Sequence, residues 1–247
     1  MQFQCNVCGE WETRFSETQL TREAGTCSNC RMTVRERSIF YLLSAHLFGG
    51  SMPVIQWPDR KELRVLGISD GAGVARVLAG KFKYENLQFH VAPHFDVKSP
   101  SSNYVASANV VVCSDVLEHV APHIEPAFEG LYSILKPGGL LVFTVPWTRA
   151  STVEHFPELN DWRIEGDGQQ RALCNTTIDG RKQVFRNLRF HGGVGMTLEM
   201  RIFGLVDLIY QFVAAGFHDV RVMTNDVLTN GIRIGSEISR PITCRKP

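Results

Sequence analysis

From Leu63 onward, short runs of apolar and β-branched residues alternate with stretches of helical spacing. LRVLGIS (63–69), LQFHVAP (87–93), NVVVCSD (109–115) and LLVFTVP (140–146) read as strands. GVARVLAGKF (73–82) and the amphipathic APHIEPAFEGLYSILKPGG (121–139) read as the helices between them, the second ended by Lys136-Pro137-Gly138-Gly139. Strands apolar on both faces and separated by helices predict a parallel sheet covered on both sides. The fold class expected is therefore α/β, doubly wound, with a mostly parallel sheet.

The two ends of the chain depart from this rhythm. Residues 1–32 are short of apolar content, and a helix is predicted within 33–50, where Ile39, Leu42, Leu43, His46 and Leu47 share a face and Gly49-Gly50 closes it. A proline-bearing loop leads to residue 62, and residues 63–247 form the main domain, with an insertion at 151–200 that is polar and turn-rich. Asp179-Gly180 predicts a hairpin within RALCNTTIDGRKQVF (171–185). The alternation then resumes with a helix in FGLVDLIYQFVAAGF (203–217) and a strand in DVRVMT (219–224). A last strand falls in either GIRIGSEI (231–238) or PITCRK (241–246).

Four of the seven cysteines form two close pairs, Cys5/Cys8 and Cys27/Cys30, separated by eighteen residues. That spacing matches a four-cysteine zinc site, in which each tight turn aims two thiolates at one tetrahedral ion. A segment this small has too little to bury, so the metal supplies its folding free energy. Four thiolates leave no open coordination position, so the zinc is expected to be structural. An odd cysteine count with clustered pairs is a reducing-compartment pattern. With no signal-like N-terminus and no apolar run of membrane-spanning length, the expected address is the cytoplasm. A net charge of +1 and 21% charged residues argue against a nucleic-acid partner held by electrostatics. Oligomeric state leaves no mark on the sequence.

Ligands of open parallel sheets bind beyond the carboxyl ends of the strands. The first strand runs into GISDGAG (67–73), and NVVVCSD brings Ser114 and Asp115 to a second strand end. This order, a glycine loop, then SDVLEHV, then LKPGG and an apolar strand, resembles the Rossmann-like class I S-adenosylmethionine-dependent methyltransferases, specifically the methyltransferase-11-like group, over residues 62–146. Members with a zinc ribbon look similar at the N-terminus too, including the helix with Arg35 and Arg37. The resemblance implies S-adenosylmethionine as cofactor. It implies cofactor contacts at Gly67, Ser69, Asp70, Gly71 and Gly73 of the loop, and at Ser114 and Asp115, which border both cofactor and acceptor.

Two family acids are absent: Gly67 stands where the first strand usually carries one, and the second strand ends in HVAPHFD without one. Ser69 replaces the first loop glycine. Asp70 and Asp96 are the nearby carboxylates, neither at the usual position. Losing a ribose contact costs on the order of 1–3 kcal/mol, so a catalytically silent, methyltransferase-like binding module stands as the alternative.

Methyl transfer to oxygen or nitrogen requires a placed acceptor and an outlet for its proton. His155 and His191, in the segment expected to roof the pocket, and Asp115 at the strand end are the catalytic candidates. His119 reads equally as a helix-start packing residue, Asp115 as a helix N-cap, and Glu118 as a solvated acid. His90 and His94 flank the expected second strand end and so approach the adenosine. Met196, Met200 and Phe203 read as packing. The expected acceptor is a polar small molecule, a sugar or natural-product intermediate. An RNA-modifying enzyme is a lesser reading, and an incomplete G-x-G-x-x-G pattern argues against a nicotinamide enzyme.

Overall fold

The computed structural model describes residues 1–167, 170–191, 197–234 and 239–247. Its centre is a six-stranded sheet of β1 (Arg60–Ile68), β2 (Phe82–Leu87), β3 (Ala108–Ser114), β4 (Leu135–Thr144), β5 (His218–Val222) and β6 (Ile242–Arg245), in the order β2-β1-β3-β4-β6-β5. The β1–β2, β1–β3 and β3–β4 pairs are parallel, and β6 runs antiparallel to both β4 and β5. Strand order reverses beside β1, so the ends of β1 and β3 open into the crevice where such sheets bind ligands. The α/β, mostly parallel architecture is the one expected.

Alternate residues of the strands feed two cores. Leu66, Val111, Leu141 and Phe143 pack with Phe128 and Leu131 of helix α3 (Glu125–Ile134) and Leu208 and Phe212 of helix α4 (Leu205–Ala214). Val65, Val110, Val112 and Val142 face the other way. They meet Phe40 and Leu43 of helix α1 (Val34–Phe48) and Val74 and Leu78 of helix α2 (Ala72–Lys81). Helix α1 begins with a reciprocal cap: Thr33 Oγ1 accepts from the Glu36 amide at 3.3 Å, and Glu36 accepts from the Thr33 amide at 2.8 Å. Gly49, at φ 77°, ends it in the left-handed conformation.

Two sequence expectations are corrected. The second strand lies at Phe82–Leu87, directly after α2, whereas residues 88–95 turn back so that the Phe95 amide donates to Gln88 O at 2.8 Å. β2 is an edge strand and tolerates polar residues on both faces, which hid it, while Pro93 has no amide to give a ladder. The glycine stop at 136–139 lies inside β4 as a bulge, the ladder stepping from Ala108–Leu135 to Val110–Leu140. The last strand, Ile242–Arg245, lies in PITCRK, one of the two segments expected to hold it, and residues 235–238 of the other lie outside the described residues.

The hairpin expected in the insertion is present. Ala172–Thr176 pairs with Lys182–Phe185 and with Asp161–Glu165, with Gly180 at φ 85° in the turn. Phe156, Leu173, Leu198 and Met200 give this sheet its own small core. Met200 and Phe203 are buried, as packing residues should be, and Met196 lies outside the described residues. Fully buried Arg201 anchors the insertion to the turn after β3, donating to Leu117 O at 2.8 Å and Val120 O at 2.6 Å. No helix among the described residues is long and apolar enough to cross a membrane.

Candidate active site

A cavity of about 550 Å³ lies beyond the carboxyl ends of β1 and β3, within the range of small-ligand sites. Ser69, Asp70 and Gly71 form one side and Ser114 and Asp115 the floor, with Glu118, His119 and His191 at the far end. Of the residues singled out in the sequence, these are brought together. Gly67 and Gly73 flank the loop without lining the cavity, and His155 stands behind it.

The loop after β1 is held by β2. The Ser69 amide donates to Leu87 O at 2.8 Å, and Asn86 brackets Asp70 by accepting from its amide (2.9 Å) and donating to its carbonyl (2.8 Å). Asp70 turns its carboxyl back toward β1, where Oδ2 accepts from Tyr84 at 2.9 Å. A Cβ built on Gly67 would lie 2.2 Å from that Oδ2 and 2.1 Å from the Tyr84 hydroxyl. The acid missing from position 67 is thus replaced in space by one reaching in from position 70, and glycine at 67 makes the room. Asp96 is exposed and turned to its own loop, accepting from the Lys98 amide at 2.9 Å.

Burial pushes the Asp70 carboxyl up to about 7, against the hydrogen bond from Tyr84 and the charge of Arg35. In the unfolded chain it would titrate near about 3.9. Between those values the folded state holds a proton that the unfolded state has lost, so this contribution to stability falls as pH rises to about 7 and is level above it. Asp70→Asn removes the titration. The stability of the variant relative to the native chain is expected to rise by a few kcal/mol, at about 1.4 kcal/mol per pH unit spanned, between about pH 4 and pH 8. Urea unfolding across that range checks it, and an unchanged difference contradicts it.

The opposite wall comes from the N-terminal segment and α1, through Arg22, Glu23, Arg35 and Glu36. Asp115, at φ 54°, is not a helix cap. Arg22 donates to both its oxygens, Arg35 Nε lies 3.2 Å away, and Thr144 Oγ1 donates at 3.0 Å. Burial alone would raise the Asp115 carboxyl, but Arg22 and Arg35 hold it below the usual range. Arg35 also donates to Ser114 Oγ. Sequence reasoning missed Arg22 and Glu23, because nothing in a cysteine-paired segment marks which polar side chain will fold over a distant strand end.

At the far end, Glu118 corrects the reading of a solvated acid. It is fully buried, neither carboxylate oxygen has a hydrogen-bond partner, and burial pushes it well above the ordinary range. His119 lies in a short 3-10 turn, Leu117–His119, with Nδ1 3.1 Å from Leu198 O. Glu199, 6% exposed, joins two histidines: His155 Nε2 is 2.8 Å from Oε1 and His191 Nε2 is 3.1 Å from Oε2. His90 and His94 are exposed and line no part of the cavity, with His94 Nδ1 facing Phe89 O at 2.7 Å.

Cys5, Cys8, Cys27 and Cys30 converge, all four sulfurs within 4.8 Å of one another and the Cys5–Cys30 and Cys8–Cys27 pairs at 3.6 Å. A tetrahedral zinc with bonds of about 2.3 Å implies sulfur–sulfur edges of about 3.8 Å, so the donor set fits that ion. Arg37 is buried beneath, donating to Gly25 O, Met32 O and Gly231 O at 2.7–2.9 Å. Phe3, Cys5, Leu20 and Cys27 belong to the same core as Val65 and Val110 of the sheet.

Residues 43–177, more than half of the chain, match a family model described as a methyltransferase domain. A search of curated proteins finds no sequence match. Solved structures with a related shape include the Burkholderia thailandensis 1,6-didemethyltoxoflavin-N1-methyltransferase with bound 1,6-didemethyltoxoflavin and S-adenosylhomocysteine. It is 15% identical, with 85% of this chain and 77% of that chain covered at a TM-score of 0.46. A S-adenosylmethionine-dependent methyltransferase from Clostridium acetobutylicum is 12% identical, covering 86% and 91% at 0.47. At these identities and scores neither bears on the substrate of this chain.

Proposed function

The chain belongs to the methyltransferase-domain family; from that premise we propose that it is a class I S-adenosylmethionine-dependent enzyme that methylates a polar small molecule, a sugar or natural-product intermediate, in the cavity beyond β1 and β3. The observation that carries this reading is the meeting of two strand-end turns, Ser69–Gly71 and Ser114–Asp115, around one open cavity that His119 and His191 also line. Ser69, Asp70, Gly71 and Ser114 take the cofactor end, Gly67 acts by leaving room for the Asp70 carboxyl, and Gly73 by leaving room for the Met32 side chain behind the loop. Asp115, pinned by Arg22, stands between donor and acceptor.

S-adenosylmethionine supplies a methyl group on a sulfonium, which leaves as S-adenosylhomocysteine when the acceptor attacks in line. Orientation within the cavity is the main requirement, and the acceptor proton must depart as the bond forms. His191 meets the acceptor, Glu199 fixes its ring, and His155 holds the other oxygen of the same carboxylate, giving the proton a destination. The four thiolates hold a structural zinc, which fits residence in the reducing cytoplasm.

With methyl-labelled S-adenosylmethionine and a cell extract, label is expected in the small-molecule fraction. It is expected to fall by about a hundredfold or more with His191→Ala, the scale on which placed proton-transfer groups act. Label confined to RNA or protein would contradict the acceptor class.

A further inference from the structure

The far end of the cavity contains a second convergent donor set. A buried carboxylate without a partner costs several kcal/mol, and a neutral carboxylic acid there would still carry an O–H with no acceptor. Glu118 is in that position: it is fully buried, both oxygens lack hydrogen-bond partners, and among the described residues the basic nitrogen within 4 Å of it is His119 Nε2, at 3.8 Å. One oxygen of Glu118 and one ring nitrogen from each of His119 and His191 lie within 4.8 Å of one another. All three residues line the cavity.

The ring orientations suit a ligand role. His119 turns Nδ1 to Leu198 O at 3.1 Å, which places the proton on Nδ1 and leaves the Nε2 lone pair toward Glu118. His191 Nε2 lies 3.1 Å from the Glu199 carboxylate, which holds a proton on that nitrogen and frees the other. The two rings sit edge to face at 4.9 Å. A carbonyl or carboxylate behind each histidine is the support that metal-bound imidazoles need.

We propose that Glu118, His119 and His191 bind a divalent first-row transition-metal ion at the acceptor end of the cavity, distinct from the four-cysteine site. Two imidazoles and one carboxylate suit such an ion better than calcium or magnesium, and three protein donors leave coordination positions open. Those positions face the cavity. The cation supplies the positive charge that Glu118 lacks. On the reading of this cavity as the transfer site, the ion selects an acceptor with two adjacent oxygens, a vicinal diol or hydroxy-carbonyl group. With its free nitrogen on the ion, His191 then acts on the acceptor as a ligand of that ion in place of taking the proton itself, and the ion's charge eases the proton's departure from the bound hydroxyl.

The test is a titration of the full chain, with its four-cysteine site zinc-loaded, by manganese(II) chloride, following free manganese by electron paramagnetic resonance. Manganese sits low in the affinity order and favours oxygen and nitrogen over thiolates, so it leaves the zinc in place. One saturable manganese per chain is expected. His191→Ala, at a side chain 41% exposed, and the near-isosteric Glu118→Gln should each weaken it by at least about tenfold. No saturable uptake by the native chain, or unchanged affinity in both variants, would overturn the proposal. S-adenosylhomocysteine titrated into the native chain separately tests the transfer-site reading, whatever the manganese count.

Discussion

Extraction of zinc by a strong chelator is expected to lower the melting temperature of the whole protein by at least about 10 °C, not to release a small module from an intact domain. Structural zinc contributes an apparent 10–16 kcal/mol, roughly, to small zinc peptides, as much as the entire stability of many domains. Here the module shares its core with the sheet: Phe3, Cys5, Leu20 and Cys27 pack in one cluster with Phe40, Leu43, Val65 and Val110. Arg37 adds a second tie, with its guanidinium donating to Gly25 and Met32 on the module side and to Gly231 near the C-terminus. If the module loosens, the Gly25 and Met32 carbonyls lose their donor and a buried cation loses its acceptors, each costing about 1–3 kcal/mol.

A loss of only about 3–5 kcal/mol would already give that shift for a chain of this size. Circular dichroism melting with and without chelator, and of Cys27→Ser, checks it. A main transition that stays put would show that the segment folds apart from the domain. The same loosening should withdraw Arg22 from Asp115, so loss of the module's fold is expected to weaken the floor of the cavity as well.

The residues that gave the fold away were those buried on both faces. β3 and β4 are continuous apolar runs because each has a strand on either side and helices above and below, so burial wrote itself into the residue types. β2 has one neighbour and carries Lys83, Tyr84, Glu85 and Asn86, so its pattern was not apolar enough to stand out. The polar residues that hid it are the ones that matter. Asn86 clamps the loop after β1, and Tyr84 binds Asp70.

The site was legible to the same extent. Cysteine spacing announces that four sulfurs converge because ligand geometry is local, and strand-end turns announce a crevice because sheet topology is regular. Arg22 reaching Asp115 across 93 residues, or Glu199 joining His155 to His191, depends on how separate elements pack, and no local pattern records that. The missing family acid is the sharpest example. In sequence, Gly67 is a loss, while in space Asp70 fills the place and glycine is what permits it.

The claim beneath all of this is that Ser69–Gly71 and Ser114–Asp115 enclose the cofactor. Gly71 offers a direct probe. Its backbone, at φ −62° and ψ 150°, is open to any residue, and a Cβ there would meet nothing within 4 Å. Leucine should therefore fold in place, at an N-cap cost of about 1 kcal/mol or less, while its side chain enters the cavity that Gly71 lines. Isothermal titration of S-adenosylhomocysteine is the measurement. The account predicts one site per chain in the native protein and a loss of at least about a hundredfold, near 2.7 kcal/mol, in a folded Gly71→Leu variant. No heat with the native chain at millimolar ligand, or equal affinity in the two proteins, would contradict it.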